Sequence, residues 1–298
     1  LKHGVLVIDK PVGPSSHDVV VVARRSLGVE RIGHTGTLDP QASGVLPLVL
    51  GQATRLAQHL TGSDKEYDAT IRFGIATDTY DASGEVTDSS GHAPPRAVVE
   101  EALSAFRGTF AQTPPAYSAK MVEGERSYAR ARAGRPAQSP PAMVTTRSLE
   151  LLEYSPPVAR VRVRCSAGFY VRSLAHDLGR AAGTCAMLEA LTRTEAAGYR
   201  IEHAVAFERL VTMPRAELLA LVLPMESLLQ DTPQAAITAE GVDWAQHGRD
   251  LGARQLLHPL AAAPALVRLI GPDGRLVGLA APAKPPALLH PAVVFRYH

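Results

Sequence analysis

Gly33-His34-Thr35-Gly36-Thr37-Leu38-Asp39-Pro40-Gln41-Ala42-Ser43-Gly44 is the densest run of chemistry-bearing residues in the chain. It shows neither helical nor strand periodicity and reads as a loop between structured segments. Its glycines permit positive φ and a close approach of backbone to ligand. Asp39 precedes Pro40, which disfavours the helical region and restricts its backbone direction. Pattern tests exclude several sites. No Gly-Lys-Ser/Thr follows, so the run is not a phosphate-binding P-loop, and it lacks the Gly-x-Gly-x-x-Gly dinucleotide spacing. Ser43 lacks the flanking glycines of a nucleophile elbow. His34 and Asp39 with His176 and Asp177 match no metal-ligand spacing, so no metal is expected.

Working outward, Gly4–Asp9 reads as a strand stopped by Lys10-Pro11. Ser15 with Asp18 resembles a capping box, after which Val19, Val22, Ala23 and Leu27 share a helix face that Gly28 ends. Val45–Leu50 reads as a buried strand, Ala53–Leu60 as a helix and Tyr67–Ile75 as an alternating strand. A helix over Arg96–Phe106 presents Val98, Val99, Ala102, Leu103 and Phe106 on one side. The Pro-, Gly-, Arg- and Tyr-rich stretch Ala111–Pro141 reads as an extended loop with a short helix. Val144–Leu152 and Val158–Cys165 read as strands, and Arg160, Arg162 and Arg164 alternate with Val161 and Val163, which predicts a basic sheet face. Arg172–Ala182 and Ala186–Thr192 are predicted helical. Ser173 with Asp177 suits the helix start, and His176 reads as an exposed helix residue. The mixed order without a βαβ rhythm predicts an α+β fold with a mixed, mainly antiparallel sheet and flanking helices. Composition shifts near Asp231. The tail from Ile237 carries short apolar runs and a Pro272-Asp273-Gly274 turn, which predicts a small β-rich C-terminal domain. The expected domains are therefore 1–230 and 237–298.

The chain has 298 residues, 46% of them apolar, which is enough for a full core without metal or disulfide staples. Two cysteines, Cys165 and Cys185, exclude a disulfide framework and read as buried packing residues. No apolar run reaches membrane-span length, and the N-terminus is not a secretory signal, so a soluble cytoplasmic protein is expected. Net charge is only +2, but Leu60–Gly108 carries nine acidic against four basic residues. Lys120–Arg200 carries 13 basic against seven acidic, and twelve of those 13 are arginine. Arginine's planar fork suits phosphate and stacks on bases, so a polyanion site stands beside an ordinary solvated face.

Taken in order, these segments resemble the TruB family of tRNA pseudouridine synthases. The match runs through Val7-Ile8-Asp9-Lys10-Pro11-Val12-Gly13-Pro14-Ser15-Ser16, the Gly33–Gly44 loop, Lys65-Glu66-Tyr67 and Pro114-Pro115 with Tyr117-Ser118-Ala119. It continues through Tyr128, Ala131-Arg132, Cys165-Ser166, Gly168–Gly179, and Leu191 with Arg193. The resemblance implies isomerisation of uridine at position 55 in the tRNA T loop, with no cofactor and no obligatory protein partner. It implies Asp39 as nucleophile, Tyr67 stacking on the flipped base, and Arg172 pairing with Asp39. His34 would fill the space left by the extruded base, Leu191 would pack in the base pocket, and Lys10 with Pro11 would support the floor. Tyr170 and Arg132 would be further RNA- or substrate-binding residues, and the tail would be a PUA-type RNA-binding domain. Lys120 stands one place early, with Met121 after it, and Thr192 stands where the family often has arginine. Two other classes remain open: a catalytically silent RNA binder that does not need Asp39, and a hydrolase using Ser43 or Ser118 with His34 or His176.

Overall fold

The computed structural model describes residues 2–117, 121–122, 125–126, 139–259, 264–285 and 288–296. Two apolar runs without polar alternation form its centre. Strand β1 (Gly4–Lys10) pairs antiparallel with β3 (Ala42–Leu50), Val5 opposite Val49 and Ile8 opposite Leu46. Both faces of this pair are covered, which is why the runs are continuously apolar. Leu6, Ile8, Leu46 and Leu48 meet helix α1 (Ser16–Leu27) on one side. Val5, Val7, Val45 and Val49 meet Leu276, Leu279, Val293 and Phe295 on the other. The capping box at Ser15 and Asp18 forms as read, and Gly28 ends α1 at φ 60°. The short strand β2 (Ile32–His34) leads from α1 into the loop before β3.

The sheet continues through β4 (Lys65–Phe73), β5 (Gly108–Gln112), β6 (Ala142–Ser155), β7 (Val158–Cys165) and β8 (Ala186–Ala196). In space the main path runs Val205–Ala206, β1, β3, β8, β4, β7, β6, β5. Its pairings are antiparallel except β3 with β8 and β1 with Val205–Ala206. Helices α3 (Arg96–Ser104) and α4 (Val171–Ala181) pack on the far half of the sheet, while the one-and-a-half-turn α2 (Ala57–Thr61) follows β3. Val98 is solvent-facing, so the buried stripe of α3 is narrower than its sequence suggests.

Residues 186–192 are a strand, not the predicted helix. Ala186-Met187-Leu188-Glu189-Ala190-Leu191 consists of good helix formers, yet β8 lies between β3 and β4 and hydrogen-bonds to both. Tertiary pairing outweighs a propensity worth only tenths of a kcal/mol per residue. The predicted basic face is also altered. Arg162 pairs with Asp68 at 2.7 Å, Arg164 with Glu195 at 3.0 Å and Arg160 with Glu153 at 3.5 Å. A strand read alone shows its own charges, whereas its neighbours supply the opposite ones.

The tail forms a four-stranded sheet of β9 (Gln234–Ala236), β10 (Val267–Ile270), β11 (Leu276–Pro282) and β12 (Leu289–Val294), with α5 (Ala239–Gln246) against it. Ile237, Leu251, Val267, Leu269 and Leu289 form its own core, and the turn at Pro272-Asp273-Gly274 joins β10 to β11. No helix among the described residues is long and apolar enough to cross a membrane.

The parallel contact of β3 with β8 depends on Gly44. Its φ is 103°, and a Cβ there would lie 2.2 Å from the Arg193 carbonyl oxygen. Gly44→Ala should therefore cost about 3 kcal/mol or more through strain plus backbone displacement, lowering Tm by roughly 6–12 °C. Gly183→Ala, at φ 72° with open space around the new Cβ, is the control and should cost about 1 kcal/mol. Thermal unfolding of both variants checks the difference.

Candidate active site

The glycine-rich loop is held in place by side chains that bond to its backbone. Ser16, buried at the start of α1, accepts from the Leu38 N–H at 2.8 Å and donates to the Leu38 carbonyl at 3.0 Å. The Gly13 N–H donates to the Pro40 carbonyl at 2.8 Å. Lys10 is fully buried and secures that neighbouring loop by donating to the carbonyls of Pro11 (2.9 Å) and Pro14 (2.8 Å). Burial pushes the Lys10 ammonium down to about 8 although Asp39 favours its charged form. From β8, the buried Arg193 donates to the carbonyls of Val45 (2.7 Å) and Gly36 (3.0 Å). A charged group removed from water needs such acceptors, and the loop backbone supplies them.

The opposite wall is the turn from β7 into α4. Arg172 emerges from the first turn of α4 and is 8% exposed. Its guanidinium lies 3.1 Å from the Asp39 carboxylate and 3.4 Å from that of Asp81. It also donates to the Thr79 carbonyl at 3.2 Å and the Tyr117 carbonyl at 2.8 Å. Asp81 is buried and accepts from Thr79 Oγ1, the Ser83 N–H and Ser83 Oγ. The turn carrying it docks on β8 through the Ala82 N–H to Leu188 carbonyl and Leu188 N–H to Tyr80 carbonyl bonds.

Between these walls lies a cleft of about 800 Å³. Asp39, Tyr67, Asp81, Tyr170, Arg172, Leu191 and Arg193 all line it. Tyr67 projects from β4 and packs with Leu191 from β8 against the two hydrophobic clusters that meet there. Burial pushes the Tyr67 phenol above its usual value, opposed by the Arg193 guanidinium. Lys65, also lining the cleft, is buried with its ammonium on the carbonyls of Thr61 and Ser63, both at 2.6 Å. Burial brings it down to about 8. Cys165, opposite Lys65 in the sheet, is buried and its thiol is pushed up to about 12, the behaviour of a packing residue. Cys185 is buried as well.

Asp39, Tyr67, Tyr170, Arg172 and Leu191 thus meet at one cleft, and Lys10 lies beneath its loop. His34, at the end of β2, is not among the cleft-lining residues. Its Nδ1 is buried without a hydrogen-bond partner among the described residues, and burial pushes its imidazole below the usual value. Arg132, Ser118, Lys120 and Tyr128 lie outside the described residues. Sequence reading missed Asp81 and the clamping role of Arg193. An Asp with Thr79 and Ser83 two residues either side is a turn signal, but nothing local indicates which cation it faces. Two local readings change. Ser173 is buried and donates to the Thr113 carbonyl at 2.7 Å rather than capping α4. His176 is half-buried and stacks on Tyr80 at 3.9 Å. Ser43 bonds the Thr192 hydroxyl at 2.9 Å and the Leu191 carbonyl rather than a histidine, which removes the support for a serine hydrolase built on it. Among the described residues no group of three or more His, Cys, Asp or Glu could hold a metal ion.

Lys10 generates a pH prediction. Its folded value of about 8 lies below the ordinary 10.5, so the folded chain binds fewer protons between them. The cost of the buried charge is fully present below about pH 8 and is relieved as pH rises towards 10.5. Lys10→Met removes this contribution. Subtracting its urea-derived stability curve from that of the wild type should leave a rising component across that window, and parallel curves would contradict the assignment.

The N-terminal model of the TruB family pseudouridylate synthases matches residues 24–171, and the model of the tRNA pseudouridylate synthase B C-terminal domain matches residues 172–230. A tRNA pseudouridine synthase B of Burkholderia pseudomallei (strain 668) is 42% identical over 278 residues, covering 93% of this chain and 92% of that protein. The protein of the same name from Solibacter usitatus (strain Ellin6076) is 41% identical over 295 residues, covering 98% and 99%. Among solved structures, a Cbf5-Nop10-Gar1 complex contains a chain similar at TM-score 0.77 and 27% identity, with 98% of this chain and 85% of that one covered. The archaeal box H/ACA sRNP Nop10-Cbf5 complex gives 0.76 and 25%, with 99% and 86% covered. With its mainly antiparallel sheet, its Asp39–Arg172 cleft and identity of this extent along almost its whole length, the chain belongs to the TruB family of pseudouridylate synthases.

Proposed function

We propose that this pseudouridine synthase acts on tRNA, isomerising uridine 55 of the T loop with Asp39 as its nucleophile. The observation that carries this reading is the Asp39–Arg172 ion pair at 3.1 Å inside a cleft that Tyr67 and Leu191 also line. The names of the similar proteins support tRNA as the substrate. In the reaction the N1–C1′ bond breaks, the base turns, and a C5–C1′ bond forms. The C5 proton leaves to solvent and N1 gains one, so the net change needs no oxidant, reductant or cofactor. Whether the carboxylate first addresses C1′, C6 or the C2′ proton, it must be held against the ribose and base, and the ion pair with Arg172 does this.

A stacked target base must leave its loop at a cost of a few kcal/mol. Tyr67 offers an aromatic face and Leu191 an apolar one to offset it. His34 fills the vacated position in the RNA, and its uncharged form suits insertion among bases. Lys10 acts by fixing the loop beneath Asp39, and Tyr170 borders the base. Residues 1–230 form the catalytic unit, and 237–298 form a PUA-like unit that adds RNA contacts, as Arg132 does. The reaction is placed in the cytoplasm, where tRNA is handled, and needs no obligatory protein partner.

Asp39→Asn keeps the size of the side chain and removes its charge. Tritium release from a T-arm hairpin carrying [5-³H]uridine should fall by at least about a thousandfold, or roughly 4 kcal/mol of barrier, while hairpin affinity changes less than about threefold. Near wild-type release would remove Asp39 from the nucleophile's role, and a wild-type enzyme releasing no tritium would favour the silent RNA binder. Affinity should also fall steeply between 50 and 200 mM salt, as expected when cations displace counterions from phosphates. A flat response in a filter-binding titration would contradict the phosphate contacts.

A further inference from the structure

We propose that Gln112 is a positioning residue for this site: its carboxamide sets the first turn of α4 and thereby the Arg172 guanidinium against Asp39. The inference rests on the proposed role of the Asp39–Arg172 pair and concerns a residue outside the cleft lining. Gln112 is the last residue of the edge strand β5 and is 2% exposed. Its Oε1 accepts from the Tyr170 N–H at 2.8 Å, and its Nε2 donates to the Tyr170 carbonyl at 3.1 Å. One side chain therefore satisfies both backbone groups of one residue, as a neighbouring strand would. The two contacts also fix which end of the amide is oxygen, because the reversed amide would set donor against donor.

The position of this pairing is what gives it a consequence. Tyr170 is the residue from which α4 starts, and among the described residues its side chain makes no capping hydrogen bond to that helix. Its start is instead tied from the end of β5, by Gln112 to Tyr170 and by the Thr113 carbonyl to Ser173 Oγ. Arg172 lies between the two tied residues. Its own reach to Asp39, Asp81, Thr79 and Tyr117 is thus set by a backbone anchored at both sides. Reaction geometry is sensitive to displacements of half an ångström, and a buried amide with two backbone partners restricts the helix start on that scale. A fold-only role for Gln112 would lower stability without a selective effect through Arg172.

The test uses the full chain, a T-arm hairpin labelled with [5-³H]uridine, and single-turnover conditions well below the melting temperature of each variant. Gln112→Ala, Arg172→Lys and the double variant are compared for rate and hairpin affinity. Gln112→Ala should slow the chemical step at least about tenfold with affinity within about threefold of wild type, and should cost less than about threefold further in the Arg172→Lys background. Wild-type turnover by Gln112→Ala overturns the proposal, as does equal slowing in both backgrounds. Arg172→Lys at wild-type rate would overturn the reading of the site itself, whereas slow Arg172→Lys with fast Gln112→Ala overturns only this inference. Should Gln112→Ala not fold, Gln112→Glu keeps the shape. Its ionised form cannot donate to the Tyr170 carbonyl but its protonated form can. Its rate relative to wild type should therefore rise as pH falls from 8 to 6, and a constant ratio overturns the proposal.

Discussion

A guanidinium that is nine-tenths buried needs fixed acceptors, and meeting that need for Arg172 organises the cleft. Its partners are the carboxylates of Asp39 and Asp81 and the carbonyls of Thr79 and Tyr117. They come from three separate stretches, the loop after β2, the turn that follows β4 and the segment after β5. One cation thereby draws together three parts of the chain that share no secondary structure. The two carboxylates are not equivalent. The side chain of Asp81 is 8% exposed and satisfied by its own turn, whereas that of Asp39 is 46% exposed and faces the cleft. Asp81 supplies the standing counter-charge, and Asp39 is the partner within reach of a ligand. Leaving the Arg172 or the Asp81 charge buried without the other would cost several kcal/mol.

The same logic of pairing governs the arginines elsewhere. Counted along the sequence, the central region is basic and the stretch before it acidic. In the sheet the two are interleaved: β4 brings Asp68 beside Arg162, and β8 brings Glu189 to Arg72 and Glu195 to Arg164. The strand face that alternates arginine with valine therefore presents ion pairs. These pairs are partly exposed and worth little each. Their effect is on register, because a slip by one residue would set Arg160, Arg162 and Arg164 against Ile71, Ala69 and Tyr67 of β4.

Local signals were legible in the sequence where the cause is local. The capping box at Ser15 and Asp18, the stop at Gly28, the apolar run of β3 and the turn at Pro272-Asp273-Gly274 all form as read. The cleft's Asp39, Tyr67, Arg172 and Leu191 were legible through the order of their motifs, since no single segment indicates that they meet. What stayed hidden depends on partners distant in sequence. Residues 186–192 carry helix-forming side chains, and only the vacancy between β3 and β4 makes them a strand. Asp81 looks like an ordinary turn residue until β8 docks its turn beside Arg172. Ser173 looks like a helix-start residue until the end of β5 offers it the Thr113 carbonyl.

The loop of Asp39 poses a physical problem whose solution is spread over the fold. Three glycines in twelve residues make it costly to order, because glycine loses the most freedom on folding. Its ends, Gly33-His34 and Ala42-Ser43-Gly44, lie in β2 and β3, but a strand or helix through the residues between them would bury the backbone that a ligand must approach. The chain instead fixes these from outside: the Ser16 side chain on Leu38, the Arg193 side chain on Gly36 and Val45, and the Gly13 N–H of the loop that Lys10 secures on the Pro40 carbonyl. Two of these residues are buried cations, and burying them on carbonyls leaves positive charge beneath the loop. Lys65, Arg172 and Arg193 then line a cleft whose acidic lining is Asp39 and Asp81. Among the described residues the lining thus carries three cations against two carboxylates, of which Asp39 is the more exposed, and such a field favours an anionic ligand. Arg193 joins the two tasks, since it both ties the loop backbone and contributes to the field for an anionic ligand.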